Sequence, residues 1–179
     1  ISSHAKMCVH CGYPIEDYYK MLNFKQIDDN SVELESLNSK EITDLIIPKT
    51  DSNGIIVTKI GNAAFYNCSN LKSVEISDTI KSIGDNAFYG CLNLEKIYVS
   101  NSVERIGEYA FYLCDSLKSV YINNLENWCN IEFFDTTSNP LWMGAKLYLR
   151  KELVTNLVIP TSISEIKDYT FYMCSSLAS

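Results

Sequence analysis

The chain has 179 residues, 46% of them apolar and 21% charged, so it can bury a core and is not a disordered chain. Fifteen Lys and Arg against 22 Asp and Glu give a net charge of −7, which argues against the broad basic surfaces that non-specific binding of nucleic acid or anionic membrane requires. No run approaches the roughly 20 apolar residues of a membrane span, and Ile1 to Gly12 has no apolar centre of the kind a signal peptide carries.

The amino-terminal end comes first. Cys8-Val9-His10-Cys11-Gly12 is a C-x-x-C-G turn, which points two thiolates at one tetrahedral metal while the glycine gives the knuckle its backbone freedom. A c-type haem site would need His where Gly12 stands, and a thioredoxin-like pair would need a βαβ context that is absent. Residues 1–15, ISSHAKMCVHCGYPI, resemble the second half of a short bacterial zinc ribbon. The resemblance implies that Cys8 and Cys11 are half of a zinc site whose other C-x-x-C precedes Ile1. The chain is then a fragment without a cofactor of its own, and zinc belongs to the full-length protein. Residues 1–17 are accordingly a ribbon remnant.

Residues 18–59 follow as an N-terminal cap and a first irregular repeat. Tyr18, Tyr19, Leu22, Phe24, Ile27, Val32, Leu34 and Leu37 form a strand-rich cover, with Asp28-Asp29-Asn30 as its turn. DLIIP at 44–48 and VTKI at 57–60 are a weak copy of what comes next.

From residue 60 the chain repeats itself. IGNAAFYNCSNLKSVEISDTIKS (60–82), IGDNAFYGCLNLEKIYVSNSVER (83–105) and IGEYAFYLCDSLKSVYINNLENW (106–128) share a 23-residue period, and the motif returns as IKDYTFYMCSSLAS from Ile166. That period lies within the roughly 20–29 residues of leucine-rich repeats, whose units bury a continuous core only when stacked. Leu71, Val74 and Ile76, with their counterparts 23 and 46 residues on, read as short strands. Phe65, Phe88, Phe111 and Phe171 are expected in one buried column, and Cys68, Cys91 and Cys114 as buried, reduced thiols. An odd total of seven cysteines argues against a disulfide scaffold.

The wording I-G-x-x-A-F-Y-x-C-x-x-L-x-x-V-x-I, over about residues 44–179, resembles the BspA-like leucine-rich repeats of bacteria. The resemblance implies an α/β-type solenoid, a right-handed stack of short parallel strands with 23-residue coils and no catalytic centre. Two departures stand out: Lys167 replaces the Gly of the other copies and Thr170 replaces their Ala. The solenoid, 60–179, carries an insertion at about 125–156 with both tryptophans, Trp128 and Trp142. Asn139-Pro140 reads there as a helix start, and residues 147–149 with 153–159 as a hairpin. Burial favours a packing role for the tryptophans; their enrichment at interfaces is the reason to consider a binding one.

Chemistry has few candidates. His4 and His10 are the only histidines and both lie near the ribbon, so the repeats cannot build a His-dependent triad. The outward strand positions are the best binding candidates: Ser73, Lys96 and Ser119 in one column, and Glu75, Tyr98 and Tyr121 in the next. Tyr98 and Tyr121 read equally as a binding surface and as good strand formers. Tyr66, Tyr89, Tyr112 and Tyr172 form a second column whose regularity favours structure.

The chain is therefore expected to be a non-enzymatic protein-interaction module that uses Glu75, Lys96, Tyr98, Ser119 and Tyr121 on its strand face. Its partner is an unidentified protein, and no nucleic acid or membrane span is involved. The alternative is an extracellular or cell-surface adhesin for host or bacterial ligands. Reduced thiols and the ribbon favour a cytoplasmic location over the cell surface. The last strand, near Leu157 to Ile159, is expected to lack a neighbour, which makes the C-terminal end a site of self-association.

Overall fold

A computed structural model describes residues 14–39 and 41–177. A six-residue helix, α1 (Ile15–Lys20), leads into an antiparallel hairpin of β1 (Leu22–Asp28) and β2 (Ser31–Leu37). The hairpin turn is closed where Asp28 accepts a hydrogen bond from the Asn30 N–H at 2.8 Å. Leu22, Val32 and Leu34 are buried, so the cover over the first coil is strand-rich as the apolar spacing implies. The helix buries Tyr18, whose hydroxyl donates to the Ile46 carbonyl.

Two sheets run the length of the stack. The first carries β3 (Asp44–Ile46), β5 (Ser73–Glu75), β7 (Lys96–Tyr98), β9 (Ser119–Ile122) and β11 (Lys146–Leu149), each parallel to the next, and closes with the short antiparallel β12 (Glu152–Leu153). The second continues from β2 through β4 (Ile56–Ile60), β6 (Ser82–Ile83), β8 (Arg105–Ile106) and β10 (Glu132–Phe133), also parallel. Each coil crosses both sheets once. The chain is a parallel β-solenoid of short strands, as the period implies.

The core is a set of side-chain ladders. Phe65, Phe88 and Phe111 are fully buried and stacked, with ring centroids 5.0 and 5.3 Å apart. Each is worth roughly 1.5–3 kcal/mol of burial. Phe171 is only half-buried, because no coil follows it among the described residues. Cys91 and Cys114 are buried thiols that donate to the carbonyls of Phe65 and Phe88, both at 3.2 Å. The neighbouring Cys114 thiol and burial both push the Cys91 thiol above its ordinary pKa. Cys68, expected to be buried, is half-buried at the start of the column.

Successive coils approach closely at their corners. A Cβ at Gly84 would lie 2.4 Å from Asn62 Oδ1 and 2.7 Å from the Gly61 carbonyl carbon, which explains the glycine after each repeat's isoleucine. Lys167 breaks this pattern. In the other copies the N–H at this position donates to the isoleucine carbonyl one coil back, Gly84 to Ile60 and Gly107 to Ile83. The Lys167 N–H donates instead to Cys129 of a helix, so the last copy is seated differently.

The stretch from 123 to 149 is where the structure adds most to the sequence. β10 pairs with β8 and β11 with β9 in continued register, so this stretch is itself a coil of the solenoid. Its outward strand starts 27 residues after the previous one, at Lys146 against Ser119. The four additional residues all lie between β9 and β10, in the helix α2 (Leu125–Cys129). Asn124 caps that helix by accepting from the Asn127 N–H, and Leu125, Trp128 and Cys129 are its buried face.

Asn139-Pro140 starts a turn rather than a helix. The Asn139 side chain accepts from the Leu141 N–H at 2.8 Å and donates to the Tyr169 and Thr170 carbonyls, so it is spent on tying the last copy down. The hairpin is also shorter than the sequence suggests. Only Glu152–Leu153 returns along β11, and Leu157 to Ile159 is not a strand. The edge of the first sheet is therefore β12.

The strand face as candidate functional site

The pleat of the first sheet sends alternate residues outward. Val74, Ile97, Val120 and Leu147 face the core and are fully buried. Their neighbours make two outward columns in register: Asp44, Ser73, Lys96, Ser119 and Lys146, and beside it Ile46, Glu75, Tyr98, Tyr121 and Tyr148. The structure thus brings together Glu75, Lys96, Tyr98, Ser119 and Tyr121, all five of the residues singled out from the repeat.

The tyrosines form a continuous stack. Tyr98 and Tyr121 have ring centroids 4.6 Å apart with planes 13° from parallel, and Tyr121 and Tyr148 are 4.8 Å apart at 25°. These are the strand spacings of the backbone beneath, roughly 4.7–4.9 Å. Tyr148 is a member that the 23-residue period misses, because the four residues in α2 shift it out of phase. The signal that finds it is local: KLYL at 146–149 has the same alternation as SVYI at 119–122.

The other end of the face is acidic. Ser73 donates to Asp44 at 2.6 Å, and this bond, with Thr43 and the nearby Lys96 and Lys72, holds the Asp44 carboxyl below its ordinary pKa. Asp78 and Lys49 pair at 2.8 Å. A shallow groove of about 900 Å³ runs from this acidic end past Tyr98 and Tyr121 to Lys151.

The remaining sequence candidates resolve as follows. Tyr66 and Tyr89 stack in a column of their own, continued by the tilted Tyr112 and by Trp142 at 5.4 Å from Tyr112. Trp142 Nε1 donates to the Phe111 carbonyl at 3.0 Å, the bond that a cysteine thiol makes in the preceding coils. Trp128 is fully buried and its Nε1 donates to the Thr170 carbonyl at 3.0 Å. Both tryptophans have packing roles here. Cys8, Cys11, His4 and His10 lie outside the described residues. Among the described residues no cluster of His, Cys, Asp and Glu could hold a metal ion, and no helix is long and apolar enough to cross a membrane.

The family profile described as a BspA-type leucine-rich repeat region matches residues 26–141 and 141–179, in six copies. The chain belongs to this family. A comparison with curated proteins gives no match. Among solved structures, the leucine-rich repeat protein of T. pallidum aligns with a TM-score of 0.59 at 23% identity, covering 89% of this chain and 67% of that one. A leucine-rich repeat protein from Bacteroides capillosus aligns with a TM-score of 0.52 at 29% identity, over 64% of this chain and 95% of its own. One from Bacteroides ovatus gives 0.51 at 28%, over 63% of this chain but only 32% of its own length. These likenesses agree with the BspA-type fold and name no ligand.

Proposed function

We propose that this BspA-type chain is a non-enzymatic protein-interaction module whose recognition surface is the outward face of β5, β7, β9 and β11. The observation that carries the reading is the Tyr98–Tyr121–Tyr148 stack. Its three hydroxyls make no hydrogen bond to any described residue, although the rings stand in a row and Tyr98 and Tyr121 line the groove. Tyrosine gives contact area at low entropic cost, and a row held by its own stacking is already ordered before a partner arrives. Glu75, Lys96 and Ser119 surround the row and supply polar contacts. Under this reading the ribbon residues are an accessory unit, and zinc is a matter for that unit alone.

The test is position-resolved crosslinking in cells. A photoreactive residue replaces Ser119 on the strand face in one variant and Ser82 on the opposite sheet in another. The reading expects discrete protein adducts from position 119 and none from position 82. Equal adducts from both positions, or none from 119, would remove the strand face as the interface.

A second reading concerns the C-terminal end. Val158, Ile166 and Met173 are exposed there, after the short edge strand β12, and exposed apolar groups favour association. Sedimentation over a hundredfold range of concentration tests it: a mass that stays monomeric throughout is the negative result.

A further inference from the structure

The basic residues of this acidic chain are divided in an informative way. Lys20, Lys25, Lys49, Lys59, Lys81 and Lys167 each have a carboxylate oxygen within 3.5 Å. The other described basic residues have no carboxylate of the described residues within ion-pair distance, although Lys72 and Lys96 act on Asp44 at longer range, and all but Arg105 belong to the first sheet or its rim. Lys96 and Lys146 are outward on β7 and β11, in register across Ser119. Lys72 and Lys118 immediately precede β5 and β9, and Arg150-Lys151 form the turn after β11. Lys151 lines the groove with Tyr98 and Tyr121.

Around the tyrosine row the opposing charges are Glu75, in register with Tyr98 at its β5 end, and Glu95 and Glu152, all exposed. Asp44 and Asp78 line the groove at β3 and after β5, where Lys72 and Lys96 act on Asp44 and Lys49 pairs with Asp78. A chain with net charge −7 therefore holds an unpaired positive patch centred on Tyr121 and Tyr148. Phenol hydroxyls and ammonium groups are here a set of hydrogen-bond donors with no internal acceptor. What complements them is a run of acceptors with negative charge.

The stacking narrows the choice further. Tyr121 at the centre of the row spends both faces on its neighbours, and Tyr98 and Tyr148 spend one each, so the row offers mainly edges and hydroxyls rather than the ring faces on which a sugar or a base would lie. Three rungs at strand spacing span about 10 Å, the length of three residues of extended chain at roughly 3.3 Å each. A long polyanion would run on from the patch over Asp44, Glu75 and Asp78 and be repelled there. At physiological salt, screening over roughly 8 Å lets a short anionic segment sense the patch without the rest of the molecule.

From this juxtaposition we propose that the strand face, taken as the interaction surface argued above, binds an extended carboxylate-rich peptide segment across β7, β9 and β11. Its carboxylates meet Lys96, Lys146 and Lys151, and its carbonyls accept from Tyr98, Tyr121 and Tyr148.

The test uses the full chain and a fluorescein-labelled twelve-residue peptide in which Glu alternates with Ser, read by fluorescence anisotropy. A Gln-for-Glu peptide, a sulfated oligosaccharide and a single-stranded oligonucleotide of equal charge are the competitors. The expected result is saturable binding of the Glu peptide, at least tenfold weaker binding of the Gln peptide, and weaker competition by the two other anions. The double variant Lys96→Glu/Lys146→Glu should lose at least tenfold, whereas Lys81→Glu on the other sheet should change affinity less than twofold. Tyr121→Ser/Tyr148→Ser should weaken binding at least threefold with an unchanged salt dependence. Circular dichroism and the urea midpoint establish that each variant is folded.

Equal affinity for both peptides, tighter binding of the oligosaccharide or oligonucleotide, or indifference to the Lys96/Lys146 reversal would each overturn the assignment. Adducts from position 119 together with no Glu-peptide binding would leave the face an interface and reject only its acidic partner. Failure of both experiments would reject the interface as well.

Discussion

The coils between residues 60 and 122 and the coil between 123 and 149 solve the same packing problem with different side chains. In the first group Phe65, Phe88 and Phe111 fill the centre and cysteine thiols donate to the carbonyls one coil back. In the later coil Ser138 is buried without a large side chain, Leu141 is buried, and the indole of Trp142 makes the carbonyl bond. Trp128, carried in by α2, adds bulk against Phe133 at 5.3 Å. Yet the outward strand is kept, and Tyr148 stands under Tyr121 as Tyr121 stands under Tyr98. The strand ladder and its outward tyrosine column are thus held constant, while the interior is refilled with different side chains.

The largest expected effects fall on the packing centres of these two kinds of coil. Trp128→Ala removes the biggest fully buried side chain and the indole bond that fixes Thr170. We expect a loss of about 3–5 kcal/mol. Hydrogen exchange should show it first as lost protection at Tyr172, Cys174 and Leu177, while Val74 and Ile97 keep theirs. Uniform loss along the stack would show that α2 supports the whole solenoid and not its last copy. Phe88→Ala opens the regular column between two stacked rings and should cost about 3–5 kcal/mol in urea unfolding. The same change at half-buried Phe171 should cost well under that. Equal costs would mean that the column is not cooperative along its length.

What could be read from the sequence follows from the same contrast. The regular coils were legible because one side-chain type returns at one spacing, and a stacked column needs that type in every copy. The face residues Glu75, Lys96, Tyr98, Ser119 and Tyr121 came with it, since alternation along a three-residue strand decides which side chains point outward. Tyr148 was hidden by four residues of helix that change the spacing without changing the ladder. Asn139-Pro140 has the pattern of a helix start, but the Asn139 amide is claimed by the Tyr169 and Thr170 carbonyls, partners about 30 residues away that no local signal reveals. Proline at 140 also stands where the earlier coils place Asn67, Gly90 and Leu113 at positive φ, so this coil cannot repeat their turn. Lys167 and Thr170 were visible as departures. Their consequence, a last copy docked on α2 through Cys129 and Trp128, required the tertiary structure.

A smaller effect is expected at that turn. Gly90 has φ +70°, and a Cβ there would lie 2.1 Å from Asn67 Oδ1. Gly90→Ala should therefore destabilise by at least about 1–2 kcal/mol, the cost of left-handed backbone in a residue with a side chain. Leu113 holds the same turn at φ 59° in the next coil, so Leu113→Gly should be neutral or stabilising despite the lost side chain. Thermal unfolding of the two variants decides the matter. A loss at 113 as large as at 90 would show that side-chain packing at this turn outweighs backbone strain.

The smallest expected effect separates the two kinds of coil by pH. Asn62 and Asp85 each accept a backbone N–H of the coil that follows, Asp85 N–H at 3.1 Å and Glu108 N–H at 2.9 Å. Asp135, at the same place in the later coil, serves its own coil instead. It caps the short 3₁₀ segment Thr136–Ser138, accepting from the N–H groups of Thr137 at 2.8 Å and Ser138 at 2.7 Å. Burial alone would raise its pKa, but bonds from the Thr137 and Ser138 hydroxyls and from the Ser138 and Tyr109 N–H groups outweigh it and hold the carboxyl below its ordinary value. A carboxyl lowered by folding stabilises fully above its unfolded pKa, about 3.9, and loses that contribution as pH falls through the folded value. Removing the cap by Asp135→Ala should cost about 1 kcal/mol at neutral pH. Asp135→Asn keeps an acceptor and has no proton to gain, so its stability should fall less steeply than that of the parent chain as pH falls from 5 toward 3. Glu33, Asp44 and Asp78, lowered in the same direction, are common to both proteins and cancel in the difference. Urea midpoints measured in parallel over this range decide it: two curves that fall together would show that the Asp135 cap does not depend on its charge.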